Sequence, residues 1–529
     1  MRKIFTLFFC AASLATGLAQ QESYFTNPVI HGDVADPSII RIDQTYYITG
    51  TSSEWAPYYP VFTSTDLVNW QQTGHVFDEK PEWTKSSFWA PEWYQHKGKV
   101  YVYYTARKQS DNISCIGVAV ADSPTGKFKD YGPVVEFGKE AIDAFILEDK
   151  GKLYISWKAY GLDNQPIELL ACKLTDDGLR LDGKPFSLLR DDERQGMEGL
   201  HWFKKDGYYY ISIPEGGVGT GWQTVMRSKN IYGPYEQKRV LEMGSTKVNG
   251  PHQGALVDTP EGEWWFYHFQ STEPQGRVVH LQPVTWKDGF PEMGTDYDKN
   301  GIGEPMKVCR KPSTGVETKA YAPQASDDFE AKELGLQWQF NHNPHDEYWS
   351  LTEKPGWLAI KSQKAEKLRT AFNQFTQKTM GYKGVVTVKI DFAQLTPGGR
   401  AGIECIGNKF VGGGIIMEDK DGTATPRLYM ETDGTVQTTS FNISSVMNKG
   451  IYIRLEIDAV NNKHKFYYSV NNETFIEFGD TFESGSGDWK GSRIGLYSYN
   501  TQETSGTAYF DEFTYLFDGP GGLTSTQTK

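Results

Sequence analysis

The amino-acid sequence predicts an all-β protein, a five-bladed β-propeller followed by a β-sandwich. The first observation is a short pattern, a turn and then an aromatic-rich β run, that occurs five times at steps of 53 to 56 residues. The second is that almost no stretch of helical periodicity separates these copies. The third is a change of composition near residue 327, after which alternating strands are separated by glycine and asparagine turns. We therefore predict a propeller over residues 20–315, a linker over 316–326 and a sandwich over 327–529.

Residues 1–19 are predicted to be a signal peptide. Arg2 and Lys3 precede an apolar run, and Gly17-Leu-Ala places small residues at the two positions that a signal peptidase reads. The apolar run is shorter than the roughly 20 residues that span a bilayer, so a membrane anchor is the weaker interpretation. We expect cleavage after Ala19 and a secreted or periplasmic protein without membrane insertion.

Charge and cysteine content exclude several classes of protein. The formal net charge is −13 and no basic run interrupts it, which argues against nucleic acid as a partner. The cysteines beyond the signal peptide form no CxxC pair, so zinc-site spacing is absent and the fold does not depend on disulfides. Aromatic residues make up 14% of the chain, which suits either stacking on sugar rings or packing between sheets.

The five copies of the repeated pattern define the predicted blades. Their central aromatic residues, the markers, are Tyr47, Tyr101, Tyr154, Tyr209 and Trp265. The marker strands are followed by further alternating or β-branched runs, so each unit of about 54 residues holds several strands, as a propeller blade does. A β-helix or a sandwich array would need shorter or different spacing. Because blades surround one axis, equivalent positions should lie at the same height around it.

The phase of the repeat selects candidate residues for the axis. Counting 11 residues back from the marker gives a carboxylate in three of the five units, Asp36, Asp143 and Glu198. The other two units give Ala90, beside Trp89, and Gly254, two residues after His252. We expect the axis to be lined by Asp36, Trp89, Asp143, Glu198 and His252. The carboxylates Asp33, Glu92 and Glu215 are out of phase, and Glu215 is expected in a loop.

Two carboxyl groups that face each other can hydrolyse a glycosidic bond, because one protonates the leaving oxygen while the other deprotonates the attacking water. Inverting enzymes hold the two groups roughly 6.5 to 9.5 Å apart to admit that water. We assign the general base to Asp36, whose following proline favours an extended backbone. The longer side chain of Glu198 is assigned the general acid. Asp143, which has apolar neighbours, is assigned to raise the pKa of the acid and to orient it.

Each candidate also has an ordinary structural interpretation. An aspartate before proline is often a turn residue, and a lone carboxylate may only bond backbone amides; the shared phase favours function for the three carboxylates. Trp89 suits stacking on a sugar ring or packing between blades. His252 suits orientation of the carboxylates, contact with a central metal or its waters, or a plain core position. Arg277 suits pairing with a carboxylate or substrate hydroxyls, or the surface. Trp89, His252 and Arg277 are our substrate-binding candidates.

At these residues the chain resembles glycoside hydrolase family 43. The matching stretches are Val34-Ala-Asp-Pro-Ser-Ile, Ala141-Ile-Asp-Ala-Phe, Met197-Glu-Gly-Leu, Phe88-Trp-Ala-Pro and Gly250-Pro-His-Gln-Gly. The resemblance spans roughly residues 26 to 310 and implies attack on arabinose- or xylose-containing plant polysaccharides, with inversion. It implies no organic cofactor. A calcium ion near the axis, close to His252, is left open.

The predicted sandwich resembles the concanavalin-like module that follows the propeller in xylosidase and arabinofuranosidase members of this family. It would bind glycan, narrow the mouth of the propeller to an exo pocket, or only stabilise the catalytic domain. We expect it to be inseparable from the propeller.

The favoured function is an exo-acting α-L-arabinofuranosidase. The first alternative is a β-D-xylosidase, because the motifs do not distinguish the two sugars. A carbohydrate-binding propeller without catalysis would have lost a phased carboxylate, and none is lost. A retaining sialidase-type propeller would need repeated Ser-x-Asp boxes, and Ser64-Thr-Asp is the one stretch that comes close.

Overall fold

The computed structural model describes residues 23–30, 32–136, 140–160, 167–190, 196–248, 250–316, 318, 321–420, 423–441, 449–485, 487 and 490–519. The predicted signal peptide, residues 1–19, lies outside these ranges. Within them, no helix has the length and apolar character needed to cross a membrane.

The N-terminal part is built from strand β1 (Tyr24–Thr26) and five four-stranded antiparallel blades. Blade 1 contains β2 (Ala35–Ile42), β3 (Thr45–Thr51), β5 (Tyr58–Ser64) and β6 (Gln71–Phe77), with the short β4 (Trp55–Ala56) before β5. Blade 2 contains β7 (Thr84–His96), β8 (Lys99–Lys108), β9 (Ser114–Ala121) and β10 (Lys129–Val135). Blade 3 contains β11 (Glu140–Asp149), β12 (Lys152–Tyr160), β13 (Glu168–Lys173) and β14 (Phe186–Arg190).

The last two blades follow the same plan. Blade 4 contains β15 (His201–Lys205), β16 (Tyr208–Glu215), β17 (Trp222–Ser228) and β18 (Glu236–Glu242), with helix α1 (Gly217–Thr220) between β16 and β17. Blade 5 contains β19 (His252–Asp258), β20 (Trp264–Thr272), β21 (Gly276–Lys287) and β22 (Phe290–Met293). Strand β23 (Val308–Arg310) pairs with β1 and so brings the end of this part back to its beginning.

The repeated sequence pattern marks the second strand of every blade. The markers lie in β3, β8, β12, β16 and β20. In blades 2, 3 and 4 the turn before the marker strand is a two-residue loop whose residues both have positive φ, as in Lys97-Gly98 (50° and 75°). Such primed turns match the twist of the strands they join and favour glycine, which explains the glycine in the pattern. The predicted five-bladed propeller is confirmed.

Apolar clusters between neighbouring blades hold the ring together. Each cluster takes buried side chains from both blades, and representative pairs are Phe77 with Tyr104, Tyr103 with Trp157, Tyr154 with Trp202, Tyr210 with Phe266, and Tyr267 with Tyr46. Full burial of one such large side chain stabilises the fold by about 1.5–3 kcal/mol. Most aromatic side chains of the propeller therefore pack between sheets.

The C-terminal part is a sandwich of two sheets around one apolar core. Its strands are β24 (Gln339–Asn341), β25 (Trp349–Ser350), β26 (Leu358–Lys361), β27 (Gln363–Lys364), β28 (Phe375–Lys378), β29 (Lys383–Gln394), β30 (Gly399–Ile406), β31 (Phe410–Lys420), β32 (Thr423–Thr432), β33 (Thr435–Thr439), β34 (Ile451–Asp458), β35 (Lys463–Ser469), β36 (Ile476–Phe482), β37 (Arg493–Asn500) and β38 (Thr507–Phe517). Short 3-10 helices cover Asp346–Tyr348 and Leu368–Thr370.

The first sheet has the order β33-β32-β31-β30-β37-β28-β24-β4, with β27 also paired to β37. The second sheet has the order β25-β26-β38-β29-β34-β35-β36. Strand β4 belongs to the propeller, so one sheet of the sandwich continues into blade 1 through the pairing of Phe340 with Ala56. The two parts of the chain are joined by backbone hydrogen bonds as well as by side chains.

The cysteines beyond the signal peptide are buried and unpaired. Cys115, Cys172, Cys309 and Cys405 form no disulfide. The absence of any disulfide among these described cysteines agrees with a fold that does not depend on such bonds.

Candidate active site

The chain bends in or just before the first strand of every blade, 10 to 12 residues ahead of the marker. A residue in or just before each of these strands has positive φ, and the five are Asp36 (52°), Ala90 (27°), Asp143 (58°), Gly199 (51°) and Gln253 (34°). In four of the five blades the pairing of the first two strands shifts register at this point. An irregularity of this kind bends a strand and redirects its side chains. The five bends line one narrow axial cavity.

Asp36 is held through both of its carboxylate oxygens. Thr51 Oγ1 donates to Asp36 Oδ2 at 2.5 Å, and Arg277 NH1 donates to Asp36 Oδ1 at 3.1 Å. The Asp36 side chain is 7% exposed, so its orientation is set by these two partners. The backbone N–H of Ala90 donates to Thr51 Oγ1 at 2.8 Å and ties this arrangement to blade 2.

Asp143 interacts with the charges of both other carboxylates. Its Oδ2 accepts the backbone N–H of Gly199 at 3.0 Å, and its own backbone N–H donates to Thr105 Oγ1 at 3.2 Å. Burial and the negative charges of Glu198 and Asp36 raise the pKa of Asp143 to about 7. Asp143 therefore retains a proton close to neutral pH.

Glu198 is contacted by two potential cations. His252 Nε2 lies 2.9 Å from Glu198 Oε1, and Lys158 Nζ lies 2.9 Å from Glu198 Oε2. Burial alone would raise the pKa of Glu198, but the hydrogen bond from His252 and the charge of Lys158 outweigh it and lower the pKa. With 28% of its side chain exposed, Glu198 is more accessible than Asp36.

The protonation of this pair differs from the sequence-based expectation. That expectation was that Asp143 keeps the proton on Glu198. In the structure the pKa of Asp143 is raised and that of Glu198 is lowered, so the proton resides on Asp143. The physical reason is the pair of contacts on Glu198, the hydrogen bond from His252 and the charge of Lys158, of which the sequence argument did not include Lys158.

The three substrate-binding candidates lie near the carboxylates, with different surroundings. Trp89 is half-buried in β7, and the Arg107 guanidinium lies 5.4 Å from the centre of its ring. His252 is fully buried and contacts Glu198. Arg277 pairs with Asp36 and lies 4.5 Å from the ring centre of Phe269. A direct contact with substrate stays a prediction for all three.

The out-of-phase carboxylates are all buried. Asp33 accepts the backbone N–H of Arg277 at 2.8 Å. Glu92 accepts a hydrogen bond from Ser38 at 2.7 Å, and burial raises its pKa to about 8. The expectation that Glu215 is a loop residue was wrong, because it is the last residue of β16, is 5% exposed and accepts a hydrogen bond from Thr224.

Several partners of the carboxylates were missed from the sequence, although the repeat contained a signal for them. Thr51, Thr105 and Lys158 lie four residues after a marker on the second strands; Phe269 stands at the same position in blade 5 and contacts Arg277 rather than a carboxylate. Thr51 bonds Asp36, Thr105 bonds the backbone of Asp143, and Lys158 pairs with Glu198. Counting forward from the markers as well as backward would have selected them.

The described side chains can be compared with the ligand set that calcium requires. Calcium takes six to eight oxygen ligands. Among the described residues, no three histidine, cysteine, aspartate or glutamate side chains converge as a set that could hold a metal. The buried Nδ1 of His252 has no hydrogen-bond partner, but a nitrogen atom is a poor calcium ligand. We derive no step of the reaction through a metal.

A five-bladed propeller with paired carboxylates at its axis is the architecture of a glycoside hydrolase. Residues 25–291 match the family described as glycosyl hydrolases family 43, and residues 326–516 match the beta xylosidase C-terminal concanavalin A-like domain. The chain belongs to glycoside hydrolase family 43, whose members are inverting glycosidases. The predicted resemblance, the catalytic class and the type of C-terminal module are confirmed.

Relatives with similarity along most of the chain carry two kinds of name. A putative beta-xylosidase of Xylanibacter ruminicola is 36% identical over 90% of this chain and 86% of its own length. A non-reducing end alpha-L-arabinofuranosidase of Bacteroides ovatus is 28% identical over 93% of this chain and 94% of its own. The crystal structure of a family 43 protein of Bacillus licheniformis superposes with a TM-score of 0.81 at 27% identity, covering 93% of this chain and 99% of the other.

Proposed function

We propose that this enzyme removes terminal β-D-xylose residues from xylose-containing oligosaccharides. The name beta-xylosidase is carried by relatives at 36% and 32% identity, and this supports xylose as the first candidate sugar. α-L-Arabinofuranose, which the sequence favoured, is the second candidate, and the Bacteroides ovatus relative supports it.

The reaction assigned to the site is a single displacement with inversion. Asp36 takes a proton from the attacking water as its oxygen bonds to the anomeric carbon, and Glu198 gives a proton to the glycosidic oxygen as that bond breaks. Thr51 and Arg277 fix the carboxylate of Asp36 for this task. The products are one free pentose of inverted configuration and the shortened chain.

The proton for the leaving group is proposed to come from the pair formed by Asp143 and Glu198. The pair holds one proton up to about pH 7, the pKa of Asp143. In the free enzyme Lys158 draws negative charge onto Glu198. A sugar oxygen that binds Glu198 would compete with Lys158, and the shared proton could then reside on Glu198.

The observation that carries the proposal is that carboxylates from three different blades meet at the axis, each with its own hydrogen-bond partners. Its test is the hydrolysis of 4-nitrophenyl β-D-xyloside, 4-nitrophenyl α-L-arabinofuranoside and xylobiose by the wild type, Asp36→Asn and Glu198→Gln. Asp122→Asn, at an exposed aspartate, is the matched control.

The roles of general base and general acid predict different losses of activity in the two variants. Asp36→Asn should lose about 10³-fold or more in kcat on every active substrate, because the base is needed whatever the leaving group. Glu198→Gln should lose far more on xylobiose than on the aryl glycoside, since 4-nitrophenolate leaves with little help from an acid. NMR should show the inverted anomer as the first product. Full activity of Asp36→Asn, or equal loss on both substrates in Glu198→Gln, would contradict the assignment.

Export is proposed together with this function, because polymeric plant glycans lie outside the cell. N-terminal sequencing of the protein secreted by its own host should begin at Gln20. A chain that retains Met1 and remains in the cytoplasm would overturn this part of the proposal.

A further inference from the structure

One lysine of the C-terminal domain enters the propeller beside the candidate active site. Lys490 Nζ forms an ion pair with Asp33 and donates a hydrogen bond to the backbone oxygen of Thr51 at 2.8 Å. The side chains of Lys490 and Asp33 are 11% and 5% exposed. This is a buried charge pair between domains rather than a surface contact.

Both residues that Lys490 contacts are linked to Asp36: Thr51 binds it directly, and Asp33 is linked to it through Arg277. Asp33 Oδ1 accepts the backbone N–H of Arg277 at 2.8 Å, and the guanidinium of Arg277 binds Asp36 Oδ1. Thr51, whose backbone oxygen accepts from Lys490, binds Asp36 Oδ2 through its hydroxyl. One residue, Thr51, therefore separates Lys490 from Asp36 Oδ2, and two residues, Asp33 and Arg277, separate it from Asp36 Oδ1.

Several charged groups surround this ion pair and the carboxylate of Asp36. Burial opposes ionisation of Asp33, but Lys490 and Lys378 outweigh burial and lower the pKa of Asp33. Arg493, also from the C-terminal domain, lies close enough to interact with the charge of Asp33. On the propeller side, Arg277, Asp143 and Tyr59 interact with the charge of Asp36.

The backbone next to Lys490 is fitted closely to blade 5. A Cβ on Gly491 would lie 2.1 Å from the backbone oxygen of Gln275, so a side chain does not fit there. The backbone N–H of Ser492 donates to the oxygen of Pro274 at 2.7 Å, and Gln275 Nε2 donates to the oxygen of Gly381 at 2.5 Å. These contacts fix the point at which Lys490 enters the propeller.

We propose that Lys490 is a positioning residue for Asp36, so that the C-terminal domain completes the setting of the catalytic base through Asp33 and Thr51. The proposal rests on the assignment of Asp36 as the base in the proposed function. Lys490 acts through its two contacts and does not touch the substrate.

The test compares Lys490→Met, Lys490→Arg and the double variant Asp33→Asn/Lys490→Met in the full-length protein. Methionine keeps most of the stem and removes the charge, and asparagine keeps an acceptor for the N–H of Arg277. Tyr58→Phe is the matched control, because it removes another interdomain hydrogen bond, from Tyr58 to Asn343 at 3.2 Å, that does not involve Asp33. The readouts are kcat, KM and the pH profile of kcat/KM on the better aryl pentoside, with circular dichroism as a check of folding.

Lys490→Met should lose about 10- to 100-fold in kcat with little change in KM, because the base loses its orientation. The acidic limb of its kcat/KM profile should move to higher pH, since the charge of Asp33 without its direct ion pair disfavours a second negative charge nearby. Lys490→Arg should recover much of the loss. In the double variant the acidic limb should return towards its wild-type pH, because residue 33 no longer carries a negative charge.

A Lys490→Met enzyme with kcat and pH profile equal to those of Tyr58→Phe would overturn the proposal. Should Lys490→Met fail to fold, the double variant can still test the proposal. It removes both members of the buried pair, and this is better tolerated than leaving one buried charge alone. In that case the proposal requires lowered kcat in the double variant, and wild-type kcat overturns it. An active Asp36→Asn enzyme would instead refute the proposed function.

Discussion

The distribution of one proton between Asp143 and Glu198 decides how this site works at the scale of single residues. Burial and two negative neighbours raise the pKa of Asp143, whereas His252 and Lys158 hold Glu198 ionised. An acid catalyst must carry its proton when the glycosidic bond breaks. In the proposed reaction, Asp143 therefore does more than tune Glu198, because it holds the proton that Glu198 gives to the leaving oxygen.

The pH profile should report this shared proton. Wild-type kcat/KM is expected to fall above about pH 7, where the pair loses its proton. Because Lys158 lowers the proton affinity of both carboxylates, Lys158→Met should move this basic limb up by roughly one pH unit. The measurement is kcat/KM for xylobiose between pH 4 and 9, with the exposed Lys99→Met as control. If the basic limb of Lys158→Met stays at the wild-type pH or moves to lower pH, the hypothesis of a shared proton is contradicted.

Glu92 should make stability depend on pH. Its pKa is about 8 in the fold, against 4.5 for an unperturbed glutamate, so between these values the unfolded chain releases a proton that the folded chain keeps. The stability present below about pH 4.5 is thus lost as the pH rises to 8.

The glutamine side chain of Glu92→Gln resembles a protonated glutamate, so this variant should not lose stability as the pH rises. At pH 4.5 the variant should melt like the wild type, and at pH 8 it should be more stable by on the order of 2 kcal/mol, seen as a rise of a few degrees in Tm. Calorimetry at both pH values checks this, with the exposed Asp122→Asn expected to show no pH-dependent difference. Lower stability of Glu92→Gln at pH 8 would show that Glu92 is ionised there.

At the scale of elements, the site depends on where the first strand of each blade bends. The five bends lie 10 to 12 residues before the markers, and the second strands supply partners four residues after three of the five markers, Tyr47, Tyr101 and Tyr154. Counting back from the markers selects the three carboxylates because each stands at or beside one of these bends. A strand can redirect a side chain at a bend without losing the pairing on either side.

The close approach of the segment before β37 to blade 5 should be sensitive to one methyl group. Gly491→Ala would place a Cβ 2.1 Å from the oxygen of Gln275, so the loop before β21 or the segment carrying Lys490 must move. We expect a lower Tm and a loss of roughly tenfold in kcat/KM. Gly74→Ala is the control, because a Cβ at Gly74 meets nothing within 4 Å. Equal kcat/KM and Tm of the two variants would show that this contact does not influence the active site.

At the scale of the whole molecule, the two domains share a sheet and a charge cluster. Strand β4 of the propeller pairs with β24, and Arg493 lies 4.3 Å from the ring centre of Trp55. Separation would expose the edge of β4 and the apolar face around Trp55. It would also leave Asp33 without Lys490.

Residues 20–315 expressed alone should therefore be poorly soluble and at least about 100-fold less active than the full chain. Soluble yield, Tm and kcat/KM are the measurements, and co-expression with residues 316–529 is the matched rescue. A soluble fragment with full activity would show that the propeller is independent of its partner domain.

The sequence by itself determined the number of blades, the second strand of each blade and the three phased carboxylates. These features are local or repeated, so hydrophobic alternation, turn residues and a constant spacing express them directly. The sandwich after residue 327 was predicted for the same reason, from alternating strands separated by glycine and asparagine turns.

Only the tertiary structure decided which groups surround the carboxylates. Lys490 contacts Thr51 across 439 residues of sequence, and Lys158 reaches Glu198 from a neighbouring blade. Such contacts depend on register, on the packing of one blade against the next and on the docking of two domains, none of which a local pattern specifies. The position of the shared proton follows from these contacts, because a pKa responds to burial and to charges within a few ångströms rather than to neighbours in the chain.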